Sequence, residues 1–328
     1  MKKEFGDDSI LTVNEMKDLR PSTRVSTGSI QLDMILGRGG ISFGRAAEIY
    51  GPQGCGKSTF CLGIIAQAQK LGLTALYVDM EAAIDPLYTE QLGIDGDLMN
   101  ITHPKDGAKA FDLIQSAINA NAYDIIVIDS MALLNPPADL EKKYDENNRR
   151  AGRANLITNF FNKNTRTIFE NQIMLLCINQ LRANMNQATP YSPKDSIPGG
   201  YALGHAMSTI IDMRVKERIK DSNGDVIGQL VKVKIKKNKQ SVPEKEVDIE
   251  YIYGYGVDKY KDLIEVATSI GLIEKGGAWF SFEINGEKQK LQGADSVKKF
   301  LVENNAAYEA LRANVLGIVG LGWDKEGK

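Results

Sequence analysis

The chain has little cysteine, few aromatic residues and no excess of either charge. Its three cysteines, Cys55, Cys61 and Cys177, are an odd number at spacings that match no metal motif. That excludes a disulfide framework and suits a reducing, cytoplasmic setting. No apolar run approaches the ~20 residues of a membrane-spanning helix, and Met1-Lys2-Lys3-Glu4-Phe5 leads into no signal-like core. No membrane partner is expected. Lys and Arg number 40 against 42 Asp and Glu, a net charge of −2, so any nucleic-acid site must be a local patch. Internal repeats and low-complexity tracts are absent. The 328 residues suffice for a large core domain and a smaller one.

What is present centres on Gly51-Pro52-Gln53-Gly54-Cys55-Gly56-Lys57-Ser58-Thr59, which fits G-x-x-x-x-G-K-[ST]. Such a loop turns backbone N–H groups onto phosphate oxygens, Lys57 reaches the β- and γ-phosphates, and the Ser58 hydroxyl ligates Mg²⁺. A short strand at 46–50 precedes it, and an apolar-faced helix at 59–70 follows, adding its N-terminal partial charge. The pattern is a nucleoside triphosphate site.

Around it, strands and helices alternate. Near-continuous apolar strands at 74–79, 125–129 and 173–178 are separated by helices at about 107–120 and 150–170, the pattern of a parallel sheet covered on both faces. Ser29 caps a helix that Gly37 ends, and Asp85-Pro86 starts another. Residues 9–13 read as a strand-like piece. After residue 207 the pattern becomes an antiparallel hairpin, 209–220 and 226–236, around an Asn223-Gly224 turn, with a further strand at 247–253. From Asp258 the chain is helical and mixed. The expected fold is thus α/β, a mostly parallel sheet with an antiparallel hairpin extension and a small α+β C-terminal domain. The division is 1–22, an N-terminal segment; 23–257, the core; and 258–328, the C-terminal domain.

Ligands of such sheets bind beyond the strands' carboxyl ends. There the sequence places Glu81, positioned to activate water, Asp129, a Walker B-type carboxylate, and Gln180, an amide within reach of a γ-phosphate. Segments 141–153 and 181–200 lack regular period; their basic, small and apolar residues suit a nucleic-acid backbone, or else form surface insertions. In the hairpin, Lys237 and Lys239 continue the apolar face of Val231, Val233 and Ile235. Two inward lysines are costly unless they meet an anion; the alternative is that the strand ends or bulges at Lys236 and leaves both in solvent. Residues 212–245 hold ten Lys/Arg and five Asp/Glu, a local +5.

Several segments in order, Ser26-Thr27-Gly28-Ser29, Glu48-Ile49-Tyr50-Gly51-Pro52, Asp79-Met80-Glu81, Asp85-Pro86-Leu87-Tyr88, Ile128-Asp129-Ser130, Ile178-Asn179-Gln180, Gly199-Gly200, Lys237-Asn238-Lys239 and Gly276-Gly277-Ala278-Trp279, resemble the RecA-type homologous recombinases. The resemblance implies a RecA-like P-loop ATPase using ATP and Mg²⁺. Such a protein forms helical filaments of itself on single-stranded DNA and pairs them with double-stranded DNA. It implies that Lys57, Ser58, Glu81, Asp129 and Gln180 act as above, that Asp85 and Tyr88 contact adenine, and that Tyr253 lies against the neighbouring subunit's nucleotide. Lys237 and Lys239 match a pair that reaches the γ-phosphate of the adjacent protomer. Residues 142–153 and 181–198 occupy two DNA-binding loops, with Arg149, Arg150, Arg153, Arg182, Asn184, Met185, Gly199 and Gly200 as candidate contacts. His205 is a candidate interface sensor. Single-strand-binding or mediator proteins are further expected partners. Departures are the short N-terminal segment, both loop sequences, His205 and the non-acidic end; a short, divergent version suits a phage-encoded protein in a host cytoplasm. A ring-forming helicase, a non-hydrolysing mediator and a small-molecule kinase are the alternatives for a P-loop core.

Overall fold

The computed structural model describes residues 12–14, 23–37, 39–135, 146–183, 195–196, 200–284 and 286–322. Its central strands are β1 (Arg45–Gly51), β2 (Ala75–Asp79), β3 (Met99–Thr102), β4 (Ile125–Asp129), β5 (Met174–Gln180), β6 (Thr209–Lys220), β7 (Val226–Asn238), β8 (Glu246–Ile252) and β9 (Gly256–Val257). Among the described residues these nine form one sheet in the order β9-β8-β7-β6-β1-β5-β4-β2-β3. Pairing is parallel from β6 across β1 to β3 and antiparallel from β6 to β9. The mixed sheet predicted from the sequence is therefore present.

Alternation along each parallel strand divides the core. Ile125 and Val127 of β4 pack with Ile49, Ile64 and Ile65 on one face. Ile126 and Ile128 pack with Phe111, Ile114 and Phe160 on the other. The helices are α1 (Ile30–Leu36), α2 (Lys57–Gln69), α3 (Pro86–Gln91), α4 (Gly107–Asn119), α5 (Glu146–Glu170) and α6 (Gly200–Ala206). Helices α1 and α2 contribute to the first face, and α4, α5 and α6 to the second. Caps fall where the sequence puts them: Ser29 accepts from the Leu32 N–H, and Asp85 from the Leu87 N–H.

Four local expectations are corrected. Val13 and Asn14 are helical, so strand does not extend to the end of 9–13; residues 9–11 lie outside the described set. Helix α5 begins at Glu146, placing Arg149, Arg150 and Arg153 on its first turns and not in a loop. The 181–200 segment carries a two-residue antiparallel pair, Arg182–Ala183 with Asp195–Ser196, and α6 starts at Gly200. The hairpin turn is longer than a two-residue Asn-Gly turn. The Asp221 carboxylate accepts the Asn223 and Asp225 N–H groups, both at 2.9 Å, so only Gly224 needs positive φ (89°).

The C-terminal unit has α7 (Lys259–Ser269), a three-stranded antiparallel sheet of β10 (Glu274–Gly276), β11 (Trp279–Ile284) and β12 (Glu287–Gln292), then α8 (Ala294–Glu303) and α9 (Asn305–Val319). Its core of Leu263, Phe280, Phe282, Val297, Leu301 and Leu311 also takes in Ile30 of α1. At this joint Asp262 of α7 accepts from Ser29 Oγ (2.5 Å), Ile30 N (2.6 Å) and Gln31 Nε2 (3.1 Å). Asp33 beside it accepts from Ser26 Oγ, Thr27 N and Thr27 Oγ1 at 2.5–2.9 Å. Burial pushes Asp33 up to about 7 and Asp262 up to about 6, against the pull of these donors.

Candidate active site

The P-loop leaves β1 at Gly51, where a Cβ would come within 2.2 Å of the Met213 carbonyl oxygen on β6, so only glycine fits. Gly56 takes φ 88° as the N-cap of α2 and offers no side chain there, leaving the first-turn N–H groups open to an anion. The buried Lys57 ammonium donates to the carbonyls of Gly51 (3.1 Å) and Pro52 (2.7 Å). Gln53, Gly54, Gly56, Lys57, Ser58 and Thr59 line a cavity of about 310 Å³. Cys55 turns into the core and is fully buried.

The ends of β2, β4 and β5 bring Glu81, Asp129 and Gln180 to the same cavity. Ser58 Oγ and the Tyr77 hydroxyl donate to one Asp129 oxygen at 2.6 and 2.7 Å. Burial raises the Asp129 carboxyl, those two hydrogen bonds lower it, and the nearby Glu81 and Asp79 carboxylates raise it again. Adjacent carboxylates with a serine hydroxyl make a hard-oxygen setting whose mutual repulsion a divalent cation relieves. Among the described residues no cluster of three or more His, Cys, Asp or Glu is arranged to hold a metal. Ser58 Oγ and the Asp129 carboxylate, in contact at 2.6 Å, are oxygen donors of the kind that would hold Mg²⁺. Asp79 is spoken for: its carboxylate accepts the N–H groups of Glu81, Ala83 and Ile84, shaping the turn that carries Glu81. One Glu81 oxygen accepts from Ser130 Oγ (3.0 Å) and Gln180 Nε2 (2.5 Å). Behind Gln180, Asn179 donates to buried Glu48 at 2.9 Å, and burial pushes Glu48 up to about 7.

The remaining wall is formed by Tyr88, Gln229, Tyr251, Ile252 and Tyr253. Tyr88 and Thr59 hydroxyls meet at 2.8 Å, tying α3 to α2. Asp85 is exposed, serves as the α3 cap and is not among the lining residues. Tyr253, expected at a nucleotide, lines this chain's own cavity, where the β7–β8 register brings it beside the P-loop. Gln229 and Tyr251 escaped the sequence reading because they meet the site through that cross-strand pairing, which no local spacing reveals.

The sequence matches the family model for the RecA N-terminal domain over residues 1–258 and that for the RecA C-terminal domain over 261–319. The chain belongs to the RecA family. It is similar to Protein RecA of Thermus aquaticus, 37% identical over 317 residues covering 96% of this chain and 91% of that one. Protein RecA of Allochromatium vinosum is 35% identical, covering 96% and 89%. Protein RecA of Halalkalibacterium halodurans is 32% identical over 326 residues, covering 99% and 91%.

In this RecA-family chain the other expected site residues lie away from the cavity. A register shift between Ile210 and Ile211 places a bulge at Lys236, the device left open as an alternative to two inward lysines. Beyond it Lys237 Nζ donates to the Gly204 carbonyl (2.7 Å) and Lys239 Nζ to that of His205 (3.4 Å). Both ammonium groups thus sit on the negative end of α6. His205 is exposed beside Thr158, Phe161, Asn162 and Thr165 of α5. Arg153 is buried and donates to the Ala132 carbonyl, a correction to its place among the DNA contacts. Arg149, Arg150 and Arg182 have described backbone only, Gly200 opens α6, and Asn184, Met185 and Gly199 lie outside the described residues. Among the described residues no helix is long and apolar enough to cross a membrane.

Proposed function

We propose that this chain is a DNA-dependent ATPase that assembles on single-stranded DNA as a helical filament and exchanges strands with homologous duplex. The observation that carries the chemistry is one cavity lined by Lys57, Ser58, Glu81, Asp129 and Gln180, in a chain of the RecA family. The P-loop amides and Lys57 grip the triphosphate, and Mg²⁺ between Ser58 and Asp129 would neutralise its charge. Glu81 takes the proton of the water that attacks the γ-phosphorus, the bond to the ADP oxygen breaks, and phosphate leaves. Gln180, bonded to Glu81 and opening the segment from 181 onward, is placed to pass the state of the γ-phosphate to the DNA side.

The same reading assigns 23–257 to ATP and DNA, 258–328 to an accessory role and 1–22 to protomer contact. Lys237 and Lys239 would complete the ATP site of the adjacent protomer, with His205 at the same interface. Arg149, Arg150, Arg182, Asn184, Met185, Gly199 and Gly200 would face DNA, and Asp85 the adenine. Single-strand-binding or mediator proteins are further partners, and the cytoplasm, that of a host if the chain is phage-encoded, is the compartment. Electron microscopy with single-stranded DNA, Mg²⁺ and an ATP analogue tests the assembly: helical filaments are expected, and closed rings would overturn it. Lys57→Ala should abolish hydrolysis and strand exchange together; ATP-dependent exchange that survives it contradicts the assignment.

A further inference from the structure

Arg218 lies on β6, outside the cavity, and the chemistry above does not use it. Its Nη1 donates to the Gln229 side-chain oxygen at 2.8 Å and to the Tyr253 hydroxyl. Both acceptors belong to residues lining the nucleotide cavity. The arrangement follows from register: Arg218 stands directly across from Gln229, and Gln229 directly across from Tyr251. A row of side chains thus runs across three strands to the cavity, with Tyr253 just past the end of β8.

The two acceptors differ in how firmly they are held. Gln229 is 2% exposed, and its amide nitrogen lies 3.3 Å from where a Cβ on Gly56 would stand, so it is wedged against the P-loop. Tyr253 is 49% exposed, and its backbone N–H is tied to the Ile227 carbonyl at 3.0 Å. A half-exposed ring of this kind keeps rotamer freedom that binding must remove. A guanidinium with donors in a fixed fork links the wedged residue to the loose one.

We propose that Arg218 is a positioning residue for the nucleotide's base and sugar. It pins the Tyr253 ring as a fixed wall of the cavity, so a planar aromatic base finds its platform already ordered. It contributes nothing to the phosphates. The proposal rests on the ATP reading above, since it concerns which end of that ligand the wall serves.

The test uses the full chain with single-stranded DNA and Mg²⁺, comparing wild type, Arg218→Ala, Arg218→Lys, Tyr253→Phe and the double variant Arg218→Ala/Tyr253→Phe. Removing the pin should raise KM for ATP roughly tenfold, the scale of a lost hydrogen bond plus one re-ordered side chain, and leave kcat within about twofold. Tyr253→Phe should raise KM similarly, the double variant no further than Arg218→Ala, and Arg218→Lys should recover part of the loss. Binding of inorganic triphosphate, which has neither base nor sugar, should be the same in all five proteins. Equal weakening of ATP and inorganic triphosphate, or single effects that multiply in the double variant, would overturn the inference. So would an Arg218→Ala protein indistinguishable from wild type, with the ATP reading intact. A wild-type chain that binds no ATP overturns that reading and this inference together.

Discussion

Glu81 offers one carboxylate oxygen to two donors, Ser130 Oγ and Gln180 Nε2. The other oxygen takes neither donor and is the one open to a proton from water. If Glu81 is the base, a γ-phosphate that drew Gln180 away would change the base's hydrogen bonds as well as supply its substrate. Glu81→Gln should lower turnover by about a hundredfold or more while ATP affinity changes only a few-fold. Single-turnover hydrolysis beside an equilibrium binding titration measures both, and parallel loss of binding would contradict the role. Lys57, Ser58 and Asp129 could be read from sequence because a glycine-rich loop and an apolar run ending in Asp are local patterns. Arg153 was misread because its basic neighbourhood masks a periodicity that is nonetheless there. It shares a helix face with Ile157, Phe160 and Asn164, all buried.

At the scale of elements, the joint between α1 and α7 is built on two buried carboxyls. Asp33 and Asp262 have folded pKa values of about 7 and about 6, above an unfolded value near ~4. The folded state therefore holds protons that the unfolded chain releases. The stability these groups lend is fully present below about pH 4 and is lost as pH rises through about 6 and then about 7. Glu48, pushed up to about 7, acts in the same direction. The melting temperature should fall between pH 5 and pH 8, and fall less in Asp33→Asn than in wild type, whatever the variant's absolute value. Equal slopes would show that Asp33 does not titrate in the folded protein. The sequence showed α1 through its cap at Ser29 and its break at Gly37, and at Asp258 only a change to helical, mixed chain. The meeting of α1 with α7 was not legible, since Ser29 and Asp262 are far apart in sequence and nothing local pairs them.

At the scale of the whole molecule, the cavity and the lysine pair lie apart. Lys237 and Lys239 rest on α6 carbonyls, while the cavity is closed by other parts of β7 and β8. If the lysines serve a neighbour's ATP, two defective chains should repair each other. Lys57→Ala lacks its own phosphate grip but keeps the lysines; Lys237→Ala/Lys239→Ala keeps the grip and lacks them. Each alone should hydrolyse little ATP on single-stranded DNA, and an equimolar mixture should regain a measurable fraction. A mixture no better than its parts would place the lysines' action within one chain.

The strand that connects these places has a mechanical consequence. Gln229 and Lys237 lie on one strand, β7, eight residues and about 25 Å apart at the usual rise. β6 pairs with it from Val226 to Asn238, β8 only as far as Lys234, and the bulge at Lys236 falls just before Lys237. In a filament that shares its ATP sites, each site would be joined to the next through this one strand. The spacing between successive fuel molecules would then be set within one strand, with the bulge at Lys236 as its bend.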